Sequence, residues 1–146
     1  MNYNVPGGVM FDIHPNFQKR VKEFIKHFRK ALPEYNTLLT GNVIFKKDYK
    51  GIGYMSKEDA IAYGVSGPSA RGSGVSCDVR KTHPYSAYDK VKFNEIIYTG
   101  GDSFDRYLVR MKEMEESMDI IDQLIDNIPE GDYQGESTCI DKITGR

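Results

Sequence analysis

The stretch Gly101–Gly131, GDSFDRYLVRMKEMEESMDIIDQLIDNIPEG, decides the fold. Asp102 and Ser103 carry side-chain oxygens that can accept the first unpaired N–H groups of a helix. Beyond them Phe104, Tyr107, Leu108, Met111, Met114, Met118, Ile121, Ile125 and Ile128 keep one apolar stripe over more than three heptads. Pro129 and Gly131 close it. A helix of about 25 residues is ~37 Å long, so its stripe needs a partner of comparable length.

That partner lies upstream. After Pro15, the apolar residues Phe17, Val21, Phe24, Ile25, Phe28 and Leu32 advance by 4, 3, 1, 3 and 4, which predicts an amphipathic helix over roughly residues 15–31. Phe17, Phe24 and Phe28 are expected to pack against the methionines of the long helix, because thioethers and rings pack well together. Pro33 should interrupt this helix, with a short turn over Glu34–Thr40 before Gly41-Asn42 stops it.

The remaining pieces are smaller. Pro6-Gly7-Gly8 predicts a turn, followed by an extended Val9–Ile13. Asn42–Tyr54 mixes β-branched and aromatic residues with glycines and predicts a hairpin or extended arm. Ser56 and Asp59 form a capping-box variant that opens a short helix ended by Gly64. Residues 64–76 hold four glycines and a proline, which predicts a shaped loop without regular structure. The expected fold is therefore mainly α: two long helices plus a short one, a glycine-rich loop and minor extended or hairpin segments. Residues 1–132 should form the domain, and 133–146 a poorly structured tail.

A chain of 146 residues and 16.6 kDa suits one domain, burying ~70% of its unfolded surface. No segment approaches the ~20 apolar residues of a spanning helix, and the opening residues lack the layout of a signal peptide. The chain is thus not expected to cross a bilayer. With 20 Lys and Arg against 21 Asp and Glu, a nucleic-acid partner is not expected.

Charge is nevertheless segregated. Gln18–Lys30 is locally +5, and Lys112–Glu136 is locally −8. Asp119, Asp122 and Asp126 fall in the second half of the long helix, where the macrodipole disfavours acids. A cationic neighbour should compensate, either the basic helix of the same chain or a neighbouring protein; the alternative is two solvated faces. The basic amphipathic helix could also lie on a membrane surface.

Motifs for stand-alone chemistry are missing. Gly67–Gly72 is followed by Ser73-Gly74, without the lysine of a phosphate-binding loop, and neither Gly72-x-Gly74 nor Gly51-x-Gly53 completes a dinucleotide fingerprint. Cys77 and Cys139 lie 62 positions apart, and His14, His27 and His83 have no metal-site spacing. This chain is expected to bind no metal or cofactor itself. The dense run Arg71–Asp89 stands out. Arg71, Asp78, Arg80, Lys81 and Asp89 could form an ion-pair network pinning a loop, or the wall of a polar pocket. Tyr85 and Tyr88 could donate hydrogen to a ligand, or anchor the turn through their hydroxyls.

Two ordered strings carry a resemblance: Gly64–Asp89, GVSGPSARGSGVSCDVRKTHPYSAYD, and Gly101–Gln123. Together with the opening Pro6-Gly7-Gly8-Val9, they resemble the quinone-site subunit family of NADH:quinone oxidoreductase, respiratory complex I, itself similar to the large subunit of nickel-iron hydrogenases. The likeness covers about Tyr3–Asp132. It implies an internal fragment of a longer, mostly helical protein, since an upstream segment with a quinone-binding histidine and tyrosine is missing. The implied reaction passes electrons from an iron-sulfur cluster in a partner subunit to quinone, coupled to proton translocation. The fragment alone should be inactive.

The resemblance also implies a peripheral position on the cytoplasmic face of the bacterial plasma membrane. Partners should be the other complex I subunits, including the cluster-bearing one. Pro6, Gly7 and Gly8 should lie near that partner, while Arg71, Asp78, Arg80, Lys81, Tyr85 and Tyr88 buttress the quinone pocket. Two alternatives remain. One is the large subunit of a membrane-bound energy-converting hydrogenase or formate hydrogenlyase. The other is a non-catalytic assembly module that binds neighbouring subunits.

Overall fold

The computed structural model describes residues 3–135, and they are mainly helical. Two short strands, β1 (Asn4–Val5) and β2 (Gly8–Val9), pair antiparallel with Asn4 opposite Val9. Six α-helices follow: α1 (Phe17–Tyr35), α2 (Val43–Tyr49), α3 (Lys57–Ala62), α4 (Gly67–Gly72), α5 (Val79–Thr82) and α6 (Ser103–Leu124).

Helix α6 starts where the sequence places it, because the Asp102 carboxylate accepts the N–H groups of Asp105 (2.8 Å) and Gly51 (2.7 Å). It is buried on two faces. On one, Met111 and Met118 form the core with Ile25 and Leu32 of α1, and Val21, Phe28, Tyr107 and Met114 pack against it. Each such side chain, once fully buried, contributes about 1.5–3 kcal/mol. On the other face, Arg106, Val109, Glu113 and Ile120 share one side by helical periodicity, and α4 crosses that side. A Cβ on Gly72 would stand 2.9 Å from Arg106 Cγ and 3.2 Å from its backbone nitrogen, so only glycine admits this approach.

Helix α1 runs further than expected, through Pro33 to Tyr35. Proline removes one ladder donor, and the backbone relaxes into a π-helical turn over Asn36–Thr40. There Gly41 N–H donates to Asn36 O (2.8 Å) and Thr37 Oγ1 to Pro33 O (3.0 Å). Phe28 joins the core as expected. Phe17 and Phe24 do not: they remain 41% and 58% exposed, because α6 covers only the arc around Val21, Ile25 and Leu32.

Two further expectations are corrected. The predicted extended arm contains α2, because Asn42 Oδ1 accepts from Ile44 N–H (2.8 Å) and Phe45 N–H (3.3 Å), and this cap outweighs the strand propensity of the residues after it. Phe45 then stacks on Tyr49 at 4.5 Å and meets the Tyr107 ring edge-on at 4.9 Å. The glycine-rich stretch contains α4, since Pro68 sits in its first turn, where a missing N–H costs nothing. Beyond β2, residues 10–13 are not strand. The Ser56 cap is as expected, with its hydroxyl accepting Asp59 N–H at 3.0 Å.

Residues Tyr133–Gly135 are held against the hairpin. Val9 N–H donates to Tyr133 O (3.0 Å), Gly135 N–H donates to Gly7 O (2.9 Å), and Gly8 bridges Gln134. The rest of the tail, with Cys139, lies outside the described residues.

Candidate functional site

The charge segregation resolves within the chain. Lys22 pairs with Asp126 at 2.5 Å, and Arg29 Nη2 spans Asp119 (2.7 Å) and Asp122 (2.6 Å). Those carboxylates hold the Arg29 guanidinium above its ordinary pKa. The cation that the C-terminal half of α6 requires is therefore supplied by α1. All of these groups stay about half exposed.

The run Arg71–Asp89 is built differently. Arg71, on the last turn of α4, is 7% exposed and pairs with Glu113 of α6, while its Nε is buried without a partner among the described residues. Asp78, 4% exposed, caps α5 by accepting Arg80 N–H at 3.0 Å. It also holds the Arg80 guanidinium in a fork, Nε to Oδ1 at 2.9 Å and Nη2 to Oδ2 at 2.6 Å. The Arg80 bonds keep the Asp78 carboxyl below the usual carboxylate range despite burial, and raise Arg80 in turn.

Aromatic rings complete the wall. The Arg80 guanidinium lies over Phe93 at 4.7 Å and Tyr88 at 5.7 Å, and Lys81 Nζ approaches Phe93 at 5.2 Å. Tyr85 and Tyr88 meet edge to face at 5.0 Å. Their hydroxyls bond to no described residue, so in place of the hydroxyl anchor the turn carries the Tyr88 N–H bond to Tyr85 O (3.1 Å) and the ring contact. The expected five-member network is likewise corrected to two separate pairs, Arg71–Glu113 and Asp78–Arg80. Lys81 and Asp89 form no ion pair with a described residue.

Arg80 lies between two open clefts. One, of 610 Å³, is lined by Arg71, Cys77, Asp78, Tyr85 and Glu113; the other, of 670 Å³, by Lys81, Tyr88, Phe93 and Glu116. Sequence patterns missed the residues that position Phe93. Gln123 exchanges two hydrogen bonds with the Lys92 backbone (2.8 and 2.7 Å), and the Glu116 carboxylate accepts Asn94 N–H (2.8 Å) and Nδ2 (3.1 Å). These bonds join residues 22 to 31 positions apart, and the heptad spacing of Glu116 and Gln123 on one helix gives no hint of their target.

Pro6 and Gly7 form the β1–β2 turn and Gly8 opens β2, and no hydrogen bond joins them to the Arg71–Tyr88 wall among the described residues. Gly8 is required by the fold itself: at φ +158° a Cβ there would stand 2.4 Å from Tyr133 O. Among the described residues no three His, Cys, Asp or Glu side chains are grouped to hold a metal. The one described cysteine, Cys77, cannot supply the thiolate set of an iron-sulfur cluster.

The respiratory-chain NADH dehydrogenase 49 Kd subunit family matches residues 1–143. The chain belongs to that family. An NADH-quinone oxidoreductase subunit of Bacteroides thetaiotaomicron is 60% identical over 98% of this chain, which spans 27% of that relative. The corresponding NADH-quinone oxidoreductase subunit of Magnetococcus marinus is 45% identical over 93% of the chain, which spans 34% of it. A chain from the structure of the archaeal membrane-bound sulfane sulfur reductase, a respiratory membrane complex, superposes with TM-score 0.86 at 36% identity, covering 93% of this chain and 37% of that one. The chain thus spans little more than a third, or less, of the length of these relatives. Among the described residues no helix is long and apolar enough to cross a membrane.

Proposed function

We propose that this chain is a segment of the quinone-site subunit of an NADH:quinone oxidoreductase, peripheral on the cytoplasmic face of the membrane. The complete assembly passes electrons from an iron-sulfur cluster in a partner subunit to quinone and couples this to proton translocation. The observation that carries the reading is 60% identity to the NADH-quinone oxidoreductase relative over nearly the whole chain. The sulfane sulfur reductase chain, at 36%, supports a second, weaker reading: the same scaffold in a membrane reductase of another substrate.

Within that function the segment shapes and does not react. The buried Arg71–Glu113 pair and the Asp78–Arg80 fork stiffen the wall between α4, α5 and α6, and this wall buttresses the quinone pocket. The Pro6-Gly7-Gly8 turn faces the cluster-bearing partner. Asp78→Asn in the complete protein tests this. Quinone reduction by NADH in the assembled complex should fall at least tenfold, while an artificial acceptor that draws electrons upstream of quinone is reduced at the unaltered rate. Equal quinone turnover would contradict the assignment.

A further inference from the structure

We draw no further inference here: the strongest candidate, the open 610 Å³ cleft lined by the buried Arg71 and the exposed Cys77, belongs to the wall already described, its guanidiniums are neutralised by Glu113 and Asp78, and nothing in the structure shows what covers it.

Discussion

The α1–α6 seam and the α4–α5–α6 wall use the same chemistry, guanidinium against carboxylate, in opposite surroundings. At the seam, Arg29 and its two aspartates stay 42–51% exposed. In the wall, the Arg71 and Asp78 side chains are 9% and 4% exposed. Water screens the first set and makes each pair worth little, whereas removing one partner of the second strands a desolvated charge. The seam balances the helix dipole; the wall fixes a shape.

The sharpest break comes from Glu113→Ala, which leaves the Arg71 guanidinium buried and uncompensated. It should cost about 3 kcal/mol in denaturant unfolding. A loss comparable to that of a surface substitution would erase the distinction between the two regions. Next is Gly72→Ala, whose Cβ meets Arg106 at 2.9 Å and pushes α4 off α6, for about 2 kcal/mol, read as a lowered urea midpoint.

Smaller still is a pH effect. Because Arg80 lowers the Asp78 pKa below the ordinary 3.8, the stabilisation is complete above that value and is lost as pH falls from about 4 through the folded-state pKa. Asp78→Asn should therefore flatten the fall in unfolding midpoint between pH 6 and pH 3, and an unaltered slope would count against the fork. Smallest is Arg29→Ala at the seam. It should cost roughly 0.5 kcal/mol, with most of that gone in 0.5 M salt, since exposed pairs are screened.

The same contrast marks what the sequence made legible. Helix α6 and the Ser56 cap could be derived, because each rests on local periodicity or a cap; the unbalanced dipole called for a cation but left open whether α1, a neighbouring protein or solvent would answer it. Helices α2 and α4 could not: the short-range effects of Asn42 and Pro68 overrode the β-branched and glycine-rich composition around them. Within the wall, Arg71, Asp78 and Arg80 stood out by charge density. Their partners did not, because Arg71 reaches Glu113 across 42 residues, and Gln123 and Glu116 act on the backbone of a distant extended segment. Burial, which separates wall from seam, has no local signature in a charged residue.

The most direct measurement is a pair of double-mutant cycles, one on Arg71–Glu113 and one on Arg29–Asp122, followed by equilibrium unfolding in low and high salt. A coupling of about 2–3 kcal/mol that survives salt is expected for Arg71–Glu113, against less than about 0.5 kcal/mol, abolished by salt, for Arg29–Asp122. Equal couplings, or a larger one at the seam, would contradict the claim that buried charge shapes this wall.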